Sequence, residues 1–265
     1  MTAIDPFSIL FLRPPHQVRN AISQFNQKSV KEIKTDKYER YHEVVRREAY
    51  LHLCDHTYYA HMHGPILNWL HESIMEIQFN VCVELGCGVG HWIGSLYDKY
   101  PGAIFLGVDS SYQMLRVAQK HWIAGEDDLI DIQENGFMPH QVTGRKARNM
   151  KFVQADILNL PLKDSICDLA ISILTMDRLK DIARSISEVE RILERGGYFL
   201  LVCPFNFQSN EQWQSHYPID KFISAFDPED WSLVQHKRQI PYFVPLDINN
   251  NRVVYNCQGL IFQKK

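Results

Sequence analysis

Val81-Cys-Val-Glu-Leu-Gly-Cys-Gly-Val-Gly90 is the stretch on which the fold turns: an apolar run, an acid at Glu84, then glycines at every second position, Gly86, Gly88 and Gly90. Val81 to Val83 is long enough only for a buried strand. The alternating glycines remove each Cβ where the backbone must turn sharply and where a ligand can approach the main chain. His91, Trp92, Ile93 and Leu96 resume at helical spacing, so the unit reads strand, glycine turn, helix, the context a nucleoside or phosphate motif requires.

The spacing discriminates between ligands. A dinucleotide fingerprint has the order G-x-G-x-x-G, whereas here the third glycine comes one residue early and Glu84 precedes the first by two. A carboxylate in that place repels a pyrophosphate and welcomes an ammonium or a sulfonium. No Gly-Lys-Ser/Thr follows, so the Walker pattern is also excluded.

Four further segments continue the alternation. Ala103 to Val108 reads as a second buried strand, ending in Asp109-Ser110-Ser111 and a helix with Met114, Leu115 and Ala118. Lys151 to Ala155 reads as a third, ending in Asp156-Ile157. Ile166 to Leu174 is a fourth, with Asp168 at its start and Ser172 toward its end. Val189 to Leu193, Gly196-Gly197 and Tyr198 to Val202 give a helix, a turn and a fifth strand.

Over residues 79 to 204, about half of the chain, this pattern resembles the class I S-adenosylmethionine-dependent methyltransferases. The resemblance implies a doubly wound, Rossmann-like α/β fold whose seven-stranded, mostly parallel sheet ends in an antiparallel hairpin. Trp231 to Val244 and Arg252 to Phe262 supply that hairpin across Asp247 to Asn251. The implied cofactor is S-adenosylmethionine, with S-adenosylhomocysteine as product. The implied cofactor-binding residues are Glu84, Gly86, Cys87, Gly88, Gly90, Asp109, Ser110, Met114, Asp156, Ile157 and Ser172. Asp109, nineteen residues beyond Gly90, has the reach to accept both ribose hydroxyls. In the family the acid corresponding to Asp156 meets the adenine amino group and the next apolar residue covers the ring. Taken singly, Asp109 or Ser110 also suits a helix N-cap, Cys87 a small packing residue and Asp168 a structural role.

Residues 1–77 read as an N-terminal helical cap and 78–265 as the cofactor-binding domain, with an insertion at about 125–149 that is long for an α/β connection and reads as a lid or acceptor-contacting loop or, alternatively, as a disordered surface insertion. The segment Asp55 to His63 is rich in histidine and tyrosine, but His61 and His63 stand two apart and face different sides of a helix, so no metal is expected. Tyr58, Tyr59, His61 and His63 in the cap, and His216 and Tyr217 after the fifth strand, are candidates to orient or deprotonate an acceptor. No catalytic residue is identified by motif.

Composition bounds the partners. The chain has 265 residues, 45% hydrophobic, 22% charged, with a formal net charge of −3. That balance provides no basic field for a nucleic-acid backbone, and Gly144-Arg-Lys-Ala-Arg148 reads as a solvated loop. The family's Asn/Asp-Pro-Pro-Tyr/Phe motif is missing from Ile173 to Arg178, which argues against methylation of exocyclic base or glutamine amides. A small-molecule acceptor is the expectation. Enzymes that use the cofactor without methyl transfer, or a non-catalytic partner subunit on the same scaffold, are the alternatives. Six cysteines lacking a Cys-x-x-Cys pair, no basic leader and no run of 18 apolar residues predict a soluble, cytoplasmic protein; the oligomeric state is not legible.

Overall fold

A computed structural model describes residues 6–54 and 60–265. The strands are β1 (Gln17–Arg19), β2 (Ile22–Gln24), β3 (Val81–Leu85), β4 (Ile104–Asp109), β5 (Asp128–Ile130), β6 (His140–Val142), β7 (Met150–Gln154), β8 (Cys167–Ile173), β9 (Leu193–Cys203), β10 (Trp231–Pro245) and β11 (Arg252–Lys264). The helices are α1 (Val30–Thr35), α2 (Lys37–Arg40), α3 (His42–Leu53), α4 (Ala60–Ile74), α5 (His91–Tyr97), α6 (Tyr112–Ala118), α7 (Ile182–Ile192), α8 (Asn210–His216) and α9 (Ile219–Ile223).

The main sheet runs β1-β2-β7-β4-β3-β8-β9-β11-β10, with β5 and β6 in a separate two-stranded sheet. From β2 to β9 every neighbouring pair is parallel. The C-terminal hairpin is antiparallel, and β11 also pairs antiparallel with β9. Parallel strands covered on both faces must be apolar throughout, and the core divides accordingly. Cys82 and Phe105 face a cluster with Trp92, Ile93, Leu115 and Trp122; their neighbours Val83 and Leu106 face one with Val189, Ile192 and Phe222.

Two differences from the sequence reading concern the edges. The sheet has nine strands rather than seven, because residues 17–24 of the segment read as helical form a hairpin and β2 pairs parallel with β7. Asn20 and Ala21 make its turn at φ of 48° and 58°, a left-handed pair that an Asn-Gly would have announced and Asn-Ala does not. The insertion is packed rather than open. Ile130, Phe137, Val142 and Ala147 are buried in the core. Arg46 reaches Asp128 at 2.9 Å, and the Tyr50 hydroxyl donates to the Met138 carbonyl at 2.7 Å.

The N-terminal helices lie over α6. A capping box starts α1, in which the Ser29 hydroxyl accepts from Glu32 N–H while the Glu32 carboxylate accepts from Ser29 N–H. Glu39 of α2 accepts the Tyr112 N–H at 2.7 Å, and Lys28 ties Asp36 at 2.6 Å. Further along, α4 packs on the hairpin. Gly259 of β11 makes this possible, since a Cβ there would lie 2.7 Å from the Trp69 ring.

Candidate cofactor site and its polar surroundings

The glycine turn is built as the spacing requires. Gly86, Gly88 and Gly90 have φ of 80°, 51° and 80°, the left-handed region that side chains avoid. A Cβ on Gly90 would stand 2.7 Å from Phe152, one on Gly88 3.3 Å from Met114 Cε, and one on Gly86 would collide with Thr175. The space that Cβ atoms on these glycines would need is thus taken by Thr175, Met114 and Phe152, which pack against the turn.

Three acids stand at the carboxyl ends of adjacent strands. Glu84 is fully buried; its Oε2 accepts the Ile93 N–H of α5 at 2.9 Å, while Oε1 is buried and has no hydrogen-bond partner. Burial, with the charge of Asp109 added, pushes its carboxyl well above the usual carboxylate range. Asp109 Oδ2 accepts the Gly88 N–H at 2.9 Å and Oδ1 the Ser111 N–H at 2.7 Å, so each oxygen keeps a lone pair for a further donor. Burial raises Asp109 against the opposing pull of those two bonds and of Lys28. Asp156 Oδ1 caps the turn Ile157–Asn159 through Leu158 N–H at 2.9 Å, and its residue is exposed.

The other expected residues are placed as follows. Met114 packs against the turn. Cys87 is buried, and burial pushes its thiol well above the usual range, which makes it a packing residue. Ser110 is exposed, and its carbonyl accepts from Gln154. The N-cap of α6 is Ser111, not Asp109 or Ser110. Ile157 is buried in the core on the α7 side. The Ser172 hydroxyl is fully buried and donates to the Leu85 carbonyl at 3.2 Å, which binds β8 to the end of β3. Asp168 accepts the Asn80 and Val81 N–H groups at 2.7 and 2.8 Å and fixes the start of β3.

The segment after β8 holds residues the sequence reading did not single out. Leu174 takes φ of 60°, a strained conformation for a leucine, and brings Thr175 under the glycine turn. Arg178 donates to the Tyr38 hydroxyl at 3.3 Å, and its charge is felt by Glu48 and Tyr242. Burial, the largest single influence, would raise the Glu48 carboxyl, but His52, Arg178 and Lys37 together outweigh it and hold the group below the usual range. Tyr242 is pushed up by burial. Tyr38, Glu48, Arg178 and Tyr242 thus form a polar cluster where α2, α3, the loop after β8 and β10 converge.

Of the candidates to handle an acceptor, Tyr58 and Tyr59 lie outside the described residues, as does the side chain of His61. His63 is buried against His52, His91 and Tyr242. His216 packs on Phe207 and Phe222, on the α7 side, and Tyr217 is exposed beside Trp213.

A doubly wound sheet takes its ligand beyond the carboxyl ends of its strands, where a glycine turn flanked by acids suits a nucleoside carrying positive charge. The orphaned Glu84 oxygen and the two open lone pairs of Asp109 fit such a ligand. Comparison with known proteins agrees: residues 83–201 match the family described as a methyltransferase domain. A malonyl-[acyl-carrier protein] O-methyltransferase of Nitrosospira multiformis is 28% identical over 124 residues, 46% of this chain and 38% of that protein. A structure assigned to an S-adenosyl-L-methionine-dependent methyltransferase of Methanococcus maripaludis superposes with a TM-score of 0.53 at 18% identity, over 91% of this chain and 97% of that one. Another, from Listeria monocytogenes, gives 0.53 at 12% identity over 76% and 99%. Residues 83–201, a little under half of this chain, thus match a methyltransferase domain, and the chain is similar to proteins named as methyltransferases. The matches span 38% to 51% of the length of the curated relatives. No helix among the described residues is long and apolar enough to cross a membrane.

Proposed function

We propose that the protein transfers the methyl group of S-adenosylmethionine to a small-molecule acceptor by in-line displacement, with S-adenosylhomocysteine as product. The observation that carries this reading is the placement of Glu84, Asp109 and Asp156 at the carboxyl ends of three adjacent strands, with Asp109 hydrogen-bonded to the glycine turn and one Glu84 oxygen left without a partner. The sulfonium supplies an already activated methyl group, so the chain has to bind, align and exclude water. Glu84 offers the methionine ammonium a buried carboxylate oxygen with no other partner. Asp109 offers the ribose its two remaining lone pairs, and Asp156, whose second oxygen is not used by the cap, offers one to the adenine amino group. Alignment alone accounts for roughly 7–11 kcal/mol in well-oriented models, without a dedicated acid or base.

Residues 1–77 act in this reading as the cap that encloses the acceptor. Glu39 and Lys28 bring α1 and α2 over Asp109, and α3 adds Glu48 to the polar cluster with Arg178, Tyr38 and Tyr242. That cluster, rather than His216 or Tyr217, faces the acceptor. Arg178 gives it a cation for an acceptor bearing a carboxylate, the kind of group that needs no deprotonation at neutral pH. Relatives named for malonyl-[acyl-carrier protein] place carboxylates in the acceptor panel. Six free cysteines, five of them buried, suit a reducing, cytoplasmic setting.

The test is transfer of a labelled methyl group to panels of small carboxylates, phenols and amines, with product S-adenosylhomocysteine measured independently. Stoichiometric label and product in one acceptor class supports the proposal. Tight cofactor binding with no transfer to any panel, carrier-bound acids included, would favour a cofactor-binding scaffold instead.

A further inference from the structure

Outside the cofactor site, three histidines from three separate elements meet. His52 lies in the last turn of α3, His63 in the first turn of α4, and His91 opens α5 directly after Gly90. One ring nitrogen of each lies within 4.8 Å of the other two. The ring centroids are 4.5 Å apart for His52 and His63, 4.4 Å for His63 and His91 and 5.5 Å for His52 and His91.

Two of these imidazoles carry an unmet nitrogen. Nε2 of His63 and Nε2 of His91 are both buried, and neither has a hydrogen-bond partner. Buried polar atoms are nearly always satisfied, so two orphans side by side call for a ligand. The surrounding contacts are those that orient metal-binding histidines. Glu48 Oε2 lies 3.4 Å from His52 Nε2, and the backbone of His52 hydrogen-bonds His91. The cluster forms one wall of a cavity of about 450 Å³, whose other walls include His121, Trp122, His140 and Arg145.

We propose that His52, His63 and His91 bind a divalent zinc ion whose fourth coordination position opens into this cavity. Three imidazoles without a carboxylate or carbonyl ligand select a borderline cation such as zinc over magnesium, calcium or manganese. Three protein ligands with one open position is the arrangement in which zinc takes a water or a lone-pair donor from a bound molecule. Tetrahedral zinc at about 2.0–2.1 Å from each nitrogen places the nitrogens about 3.3 Å apart. The cluster therefore has to close by about 1.5 Å from its outermost spacing, within reach of side-chain rotation. Because His91 is joined to Gly90, the ion would clasp α3 and α4 to the helix that leads out of the glycine turn.

The experiment uses the full, untagged chain, stripped with a chelator and titrated with cobalt(II) as a spectroscopic probe and with zinc. The expected result is one cobalt per chain with the intense visible absorption of a tetrahedral site, displaced by zinc. Zinc should also raise the melting temperature. His63→Gln and His91→Gln should each weaken zinc binding by more than 100-fold, and Glu48→Gln, which keeps all three ligands, by 10- to 100-fold. Retained S-adenosylhomocysteine binding identifies variants that still fold. Weak octahedral absorption, no saturation at one equivalent, or affinity unchanged in folded His63→Gln overturns the proposal. If the histidine variants do not fold, the cobalt spectrum of the native chain and the Glu48→Gln affinity decide it by the same criteria.

Discussion

Replacing Asp109 by alanine should weaken binding of S-adenosylhomocysteine by about two orders of magnitude while leaving the chain folded. In the structure each carboxylate oxygen already accepts one main-chain N–H, from Gly88 at 2.9 Å and from Ser111 at 2.7 Å. One acceptor site per oxygen remains, enough for the two ribose hydroxyls. Hydrogen bonds to a charged group contribute roughly 1.5–3 kcal/mol each, so two amount to about 3–6 kcal/mol. Water entering the space vacated by the side chain recovers part of this, so the lower end applies. About 3 kcal/mol is about a 150-fold rise in Kd. Isothermal calorimetry measures that rise. A thermal melt monitors the fold, where two main-chain donors losing their acceptor should cost about 1–3 kcal/mol. Asp109→Asn keeps one carboxylate-like oxygen and should fall between the two. A folded Asp109→Ala protein with Kd within threefold of the native value would mean that the ribose does not lie at this acid, and the assignment of the whole strand-end triad would fail with it.

Three other substitutions probe separate parts of the argument. Gly90→Ala forces a side chain into φ of 80° and to 2.7 Å from Phe152. It should cost about 2–4 kcal/mol in urea unfolding, from about 1–2 for the left-handed conformation and the rest from overpacking. Glu84→Gln keeps an oxygen for Ile93 N–H and removes a buried charge. Because the folded-state pKa of Glu84 is raised above the ordinary 4.5, the folded chain holds this proton more tightly than the unfolded one, and stability is lost as pH rises through the folded value. The variant should therefore melt higher than the native protein at pH 8, with the gap closing toward pH 4, while its cofactor affinity falls; equal melting curves at pH 8 would contradict a buried, raised carboxyl. Glu39→Ala removes the acceptor for Tyr112 N–H and one partner of Lys28. Limited proteolysis should then cut earlier within residues 25–54, and unfolding free energy should drop by about 1–2 kcal/mol.

The parts of the fold readable in the sequence are those whose signal is local. The apolar run Val81 to Val83, the glycines at 86, 88 and 90, and the acids closing β4 and β7 lie within a few residues of the structure they specify. The C-terminal hairpin was legible because its strands are long and its turn is polar. The hairpin at 17–24 was not, since three-residue strands carry no periodicity and its stability comes from pairing with β7, some 130 residues away. Ser172 illustrates the opposite failure: its position along β8 matches the family pattern, but only the packing shows its hydroxyl spent on Leu85. The polar cluster of Tyr38, Glu48, Arg178 and Tyr242 and the meeting of His52, His63 and His91 draw on distant segments. In the sequence, His63 stood out only beside His61, its neighbour in the chain and not its partner in space.

The stretch 25–54 is fastened at both ends. Ahead of it, β2 is hydrogen-bonded into the sheet beside β7; behind it, α4 is packed on the hairpin. Residues 25–54 are therefore tethered on both flanks, and Glu39 and Lys28 hold them beside Tyr112 and Asp109. If the nucleoside lies at Asp109 as proposed, covering it would cost little chain entropy, whereas its departure would require this tethered stretch to lift while both anchors hold. On that reading the opening of this strap would help set how long a nucleoside stays bound.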